Sequence, residues 1–203
     1  MRGFLFVLFV GLSGSWAVAQ ETPGWAIVDA AKGLPVSTEL TLEVPGRPKP
    51  ITSESAGFHG LPISVEGNVH ALVLEPQFLL HSQEYTLPFK GIDTIALQPI
   101  RPGLQMNLPR VQFVDTSFRL DYHSLLTLEY LVEFMLLHPT SELIICGTVQ
   151  AADHVQCERL GRQRARSVWE YLVTEGIEPR RLSLEGRCSE HEEPRISLEV
   201  RTI

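Results

Sequence analysis

The chain has no Gly-rich phosphate loop and no zinc-protease motif, and no Ser sits in a recognisable activating motif. Nucleotide hydrolysis, metalloproteolysis and triad chemistry therefore have no foothold in it. A basic surface is also missing. The formal net charge is −7, which argues against nucleic acid as a partner, because phosphate binding needs clustered Lys and Arg. No apolar run beyond the N-terminus approaches the roughly 20 residues that a bilayer-spanning helix requires. Cysteine is scarce, with three residues in 203, so no dense disulfide scaffold is expected.

What is present first is an export signal. Arg2 precedes an apolar run from Phe4 to Leu12, and Ala17-Val18-Ala19 follows as a small-x-small cleavage pattern. Residues 1–19 read as a signal peptide. They hold one Arg and no acid, so their loss takes the net charge from −7 to −8 and the length from 203 to 184 residues. With 44% apolar and 20% charged residues, the remainder has the composition of an ordinary globular protein. No Cys follows the cleavage point to carry a lipid.

Periodicity divides the mature chain near residue 103. From residue 20 to 102 the apolar runs are short and β-branched or alternating, as in Glu39-Leu40-Thr41-Leu42-Glu43-Val44, with Gly, Pro, Asn and Ser between them. Leu40, Leu42 and Val44 fall on one face and Thr41 and Glu43 on the other, the pattern of a strand with one wet face. These runs predict a small antiparallel β-sandwich. His59, His70 and His81 recur at 11-residue spacing and read as surface or strand positions rather than ligands. Arg101-Pro102-Gly103 reads as a linker.

Residues 103–203 predict a βαβαββ order, with two helices on one side of a mixed sheet and an α+β class for the whole chain. Val111 to Val114 reads as the first strand. Asp121 to His138 reads as a helix with Leu125, Leu128, Leu131, Val132, Met135 and Leu136 as its apolar stripe, stopped by Pro139. Glu142 to Cys146 is a central strand. A second helix is expected from about Glu158 to Glu175, burying Ala165, Val168, Trp169 and Leu172, with Gly176 as its C-terminal cap. Arg181 to Gly186 and Arg195 to Arg201 supply two further strands.

The cysteines follow from that order. In an oxidising compartment, three cysteines make one disulfide and leave one thiol. Parallel strands on either side of the second helix would put Cys146, Cys157 and Cys188 toward one end of the sheet, and Cys157 with Cys188 is the pairing favoured. A rival reading takes His154-x-x-Cys157 and Cys188-x-x-His191 as a zinc site. Neither a metal nor a cofactor is expected. His123 and His138 flank a helix, and Ser117, Ser124 and Ser141 lack an activating partner. The chain reads as non-enzymatic.

Two resemblances add to this. Gly33-Leu34-Pro35-Val36 and Ser55-Ala56-Gly57-Phe58, each leading into a strand, resemble the carboxypeptidase regulatory-like, or transthyretin-like, sandwich, which implies a structural or adhesive module. Val111-Gln112-Phe113, Leu143-Ile144-Ile145-Cys146-Gly147, Leu160 with Arg164-Ala165-Arg166-Ser167-Val168, Gly176-Ile177 through Glu185-Gly186, and Arg195 to Val200 together resemble the C-terminal domain of the outer-membrane protein A family. That resemblance spans most of residues 111–203. It implies a periplasmic module at the outer membrane or cell wall that grips the peptide stem of peptidoglycan, with envelope proteins as possible partners of the N-terminal half.

In that family an arginine on the second helix takes a stem carboxylate by a bidentate fork, and a loop carboxylate takes the neighbouring ammonium. Both charges are needed, because each must be paired once water is displaced. Arg164 matches the arginine. Where the loop carboxylate belongs, this chain reads Gly147-Thr148-Val149-Gln150, so Thr148 and Gln150 are expected to shape the pocket without a charge. A neutral acceptor is worth about 1–2 kcal/mol less than a charged one, or about tenfold in affinity, unless Asp153 reaches in. The other expectation is a scaffold that has lost the ligand and serves an envelope assembly. Arg159, Arg162 and Arg166 also crowd the start of the same helix, where the macrodipole disfavours cations, and read mainly as a solvated face.

Overall fold

The computed structural model describes residues 24–60, 65–87, 91–150, 154–189 and 195–203. Residues 1–19, read as an export signal, together with Asp153 and His191, therefore lie outside the described residues. The class is α+β. Seven strands come first: β1 (Gly24–Asp29), β2 (Ser37–Glu43), β3 (Ile51–Ala56), β4 (Phe58–Gly60), β5 (Gly67–Val73), β6 (His81–Leu87) and β7 (Ile92–Leu97). They form a three-stranded sheet ordered β4-β1-β7 and a four-stranded sheet ordered β3-β2-β5-β6. One cluster of inward side chains joins the two sheets, with Trp25, Ile27, Leu40, Leu42, Val69, Ala71, Ile95 and Leu97 at or below 4% exposure.

One expectation for this half needs correction. The sheets are not purely antiparallel, because β1 and β7 pair in parallel over their full lengths. The chain reaches β7 from β1 only after building the other sheet, a connection that strand periodicity does not encode. His59, His70 and His81 take the strand positions allowed for them, on β4, β5 and β6, and the first two are buried at 1% and 0% exposure. Each of these two meets a serine through one ring nitrogen, His59 Nδ1 with Ser53 Oγ at 2.7 Å and His70 Nε2 with Ser82 Oγ at 2.9 Å, and His70 Nδ1 lies 3.5 Å from Glu43.

The second half contains β8 (Gln105–Leu108), a 3-10 turn at Tyr122–Ser124 running into α1 (Leu125–Leu137), β9 (Glu142–Val149), α2 (His154–Thr174), β10 (Leu182–Cys188) and β11 (Arg195–Thr202). The sheet order is β10-β9-β11-β8, with β9 and β10 parallel and the other pairs antiparallel. Both helices bury their apolar stripes on one face of this mixed sheet, bringing Leu128, Leu131, Phe134, Met135, Ala165, Val168 and Leu172 against Leu143, Ile145, Ile196, Leu198 and Val200. Gly176, at φ +95°, ends α2, and the amides of Gly176 and Ile177 return to the carbonyls of Val173 and Leu172.

The opening strand is not Val111 to Val114. Pro109 cannot continue the ladder, and Val111 N–H closes a turn onto Leu108 C=O at 3.0 Å. The strand is the alternating Gln105-Met106-Asn107-Leu108 upstream, with Met106 and Leu108 buried. Residues 111–120 become a loop over the sheet's end. Leu136 also departs from expectation at 61% exposure, while Phe134 takes the buried position. The start of α2 at His154, a turn earlier than expected, places Arg159, Arg162 and Arg166 beyond the first turn, where the helix dipole has little hold on them.

The two halves touch directly. Leu72, Leu79 and Leu80 belong to the second core, Thr41 Oγ1 shares a hydrogen bond with Tyr130 OH at 2.6 Å, and Arg110 bridges Glu43 at 3.7 Å and Glu84 at 3.4 Å. At the junction, Gly103 N–H bonds Val200 C=O at 2.7 Å. No described helix is long and apolar enough to cross a membrane.

Candidate functional site

Helix α2 can lie close to the sheet because glycine meets glycine there. A Cβ on Gly147 of β9 would collide with the carbonyl of Gly161, and one on Gly161 would collide with the carbonyl of Gly147. Only hydrogen fits on either side of that seam. One turn further along α2, Arg164 emerges over the loop that follows β8.

Arg164 is 9% exposed. Its Nε–H donates to Ser117 C=O at 3.0 Å and its Nη2 to Asp115 C=O at 3.3 Å. Its guanidinium carbon lies 4.9 Å from the centre of the Phe113 ring, a cation–π contact. Burial works against the charge and pulls its pKa below the usual arginine range. No Asp or Glu among the described residues forms an ion pair with it. Asp115, which supplies one of the carbonyls, is the one non-glycine described residue at positive φ, +50°, a conformation Asp tolerates better than most side chains.

The guanidinium borders a cleft of about 880 Å³ between the 109–116 loop, the end of β9 and the start of α2. Gln150, Leu160, Asp115 and Arg195 line it with Arg164, and Glu84 reaches it from the N-terminal half. Glu84 is engaged by Arg110. The Asp115 carboxylate has no hydrogen bond or ion pair with any described residue and is exposed.

Of the residues singled out from the sequence, Arg164 and Gln150 meet in this cleft. Thr148 does not line it. β9 alternates, so the face that carries Gly147 to α2 and Val149 to the cleft turns Thr148 to the opposite side of the sheet, between Arg187 and Arg195 in register. Asp153 lies outside the described residues. Asp115, Ser117, Phe113 and Arg195 are the residues that sequence reasoning missed. Two act through backbone carbonyls, which leave no mark on the side-chain pattern.

Cys157 and Cys188 form the disulfide, with Cα atoms 5.4 Å apart, tying the first turns of α2 to the end of β10. Oxidised sulfurs are no thiolate ligands, so the zinc reading fails on its own residues. Cys146 is the free thiol, buried, with burial pushing its pKa up to about 11. The hydroxyls of Ser117 and Ser124 donate to the carbonyls of Val114 and Gln112.

No family profile matches the chain, and no curated protein does. Solved structures are similar to it in part, at low identity. The periplasmic domain of Helicobacter pylori MotB is 19% identical over 51% of this chain and 76% of its own, with a TM-score of 0.43. The cell wall anchor of the T6SS from Pseudomonas aeruginosa is 13% identical over 49% and 80%, at 0.40. The OmpA-like domain of FopA1 from Francisella tularensis is 9% identical over 66% and 76%, at 0.37.

Proposed function

We propose that residues 103–203 are an OmpA-like module that binds the peptide stem of peptidoglycan without catalysis, in a protein exported to the periplasm and held at the outer membrane or cell wall. The observation that carries this is Arg164: a cation nine-tenths buried, aimed at a cleft, with two carbonyls for partners and no carboxylate among the described residues. A buried charge left without a counter-charge is costly. A ligand carboxylate supplies one, and the guanidinium has N–H donors left to take it. Asp115 is the group we assign to the stem's ammonium, in the role that Gln150 cannot fill.

Pull-down of the purified mature chain with insoluble peptidoglycan tests this. Arg164→Ala is expected to abolish capture, and Asp115→Asn, which keeps the backbone geometry, to weaken it about tenfold. Undiminished capture by Arg164→Ala at matched secondary structure refutes the site.

One observation favours a second reading. Arg164 already spends two donors holding the 115–117 loop to α2, which is also what a scaffold that has lost its ligand would need. In that case the module is a structural part of an envelope assembly, and the N-terminal half presents the partner surface. A muropeptide titration followed by NMR separates the two. Shifts clustered at residues 113–117 and 147–165 belong to the binding module, and their absence, with a protein captured by crosslinking, to the scaffold.

A further inference from the structure

Helix α2 overhangs an open sheet edge. β10 is the terminal strand and pairs only with β9 among the described residues, so along Leu182–Arg187 no described strand lies on its outer side. Gly186 of β10 lets the helix settle there, since a Cβ on it would meet Arg162 N at 2.6 Å. Arg159, Arg162 and Arg166 line a groove of about 350 Å³ along this edge, with Trp169 and Leu184 also in its wall.

No acidic side chain lines that groove, although the chain as a whole carries −7. Arg159 and Arg162 form no ion pair with any described residue. Arg166 pairs with Glu170 at 3.0 Å, both more than half exposed, a pairing worth little in water and readily exchanged. The spacing fits an extended ligand. A helical rise of about 1.5 Å per residue sets Arg162 and Arg166 about 6 Å apart, close to the roughly 6.7 Å between alternate side chains of a strand.

We propose that this groove docks an extended acidic segment of a partner protein, which adds as a strand to the free edge of β10 and sets alternate carboxylates against Arg159, Arg162 and Arg166. Backbone hydrogen bonds to β10 hold it, the arginines select acidic over basic sequence, and Trp169 with Leu184 receives an apolar side chain. An extended peptide suits a furrow between helix and strand, with no described strand along one side, better than a flat lipid surface does. The site is separate from the Arg164 cleft and does not depend on it.

The test is a fluorescence-anisotropy titration of the full mature chain with a labelled peptide in which Thr alternates with Glu, Glu, Glu and Leu, so that the acids and the apolar side chain share one face, beside the same peptide with Lys for Glu and beside phosphatidylglycerol vesicles. The expected result is binding of the Glu peptide only, weakening with salt, shifting Trp169 emission, and lost when the peptide amides that face β10 are N-methylated. Arg162→Glu should weaken it about tenfold or more while leaving peptidoglycan capture unchanged. Should that variant misfold, Arg159→Ser and the N-methylated peptide give the same answer. No binding, equal binding of the Lys peptide, indifference to N-methylation, or capture by vesicles in place of peptide overturns the proposal.

Discussion

Replacing Gly161 by Ala sets two effects of opposite sign against each other. Alanine is the best helix former, and Gly→Ala in a helix interior stabilises by about 1 kcal/mol. On that ground alone the variant should melt higher. The structure says otherwise, because the added methyl would enter the carbonyl of Gly147 and lie 3.2 Å from its carbon and 3.3 Å from Arg187 N. These are backbone atoms in the two strands beneath the helix, and no rotamer change relieves them. The helix has to lift. A gap of about 0.5–1 Å forfeits about a quarter to a half of each dispersion contact it opens, and the side chains that would lose contact are Ala165, Val168 and Leu172, all at 0% exposure.

Overpacking of this kind costs about 1–3 kcal/mol, and more where backbone must move. We take the upper part of that range, which leaves a net loss of about 2 kcal/mol, or a melting temperature lower by about 4–8 °C for a chain of this size. Thermal unfolding by circular dichroism reads it. Gly147→Ala should shift in the same direction, and the double variant should cost less than the sum of the singles, since one displacement relieves both clashes. Because Arg164 lies one turn along, the lift should also reduce peptidoglycan capture with the arginine intact. A melting temperature that rises in Gly161→Ala would show that propensity wins and that the helix and strand do not meet backbone to backbone.

The Cys157–Cys188 bridge closes a separation of 31 residues, so reduction, or Cys157→Ser with Cys188→Ser, should cost about 3–4 kcal/mol by chain entropy, seen as a lower urea midpoint. Cys146, buried with a thiol pKa near 11, should resist iodoacetamide in the native chain and react only on unfolding. Arg181 donates to the carbonyls of Met135 and His138 at the end of α1 and of Ser141 beyond it; Arg181→Ala should destabilise by about 2–3 kcal/mol, and Lys should recover only part, lacking the fork. Burial, with His70 nearby, pulls the His81 pKa down to about 4. The unfolded chain then holds the extra proton between about pH 6.5 and 4, so stability should fall as pH drops through that window, and fall less steeply in His81→Gln. His59 and His138 are shifted the same way, so the acid loss should shrink in that variant without vanishing.

The framework of the second half was legible because its signals are long. The apolar run at Leu143 to Cys146 can only be a covered strand, and Ala165, Val168 and Leu172 recur at helical steps up to a glycine that ends the helix. Short signals misled. Val111-Gln112-Phe113-Val114 has the better strand composition, but Pro109 separates it from the sheet, and the four-residue alternation Gln105 to Leu108 forms the strand. The parallel pairing of β1 with β7 joins residues more than 60 apart and has no local trace. Within the cleft, Arg164 could be found because its side chain is its chemistry. Its partners could not, since what Asp115 and Ser117 offer it is a carbonyl, which every residue owns.

That distinction also decides what Arg164 can still do. Carbonyls orient a guanidinium and satisfy its protons, but they carry no net charge, so the loop solves the hydrogen-bonding problem of a buried arginine and leaves the electrostatic one. Were the arginine there only to pin the loop, a neutral donor of similar reach would serve, and Arg164→Gln should keep most of the stability. A cation retained under burial, facing a cleft that also holds an unpaired carboxylate at Asp115, matches a ligand that brings both signs. Measuring stability and peptidoglycan capture on that one variant divides the roles. If capture collapses while the melting temperature holds, the charge serves the ligand; if both hold, it serves neither, and the cleft is a relic of the fold.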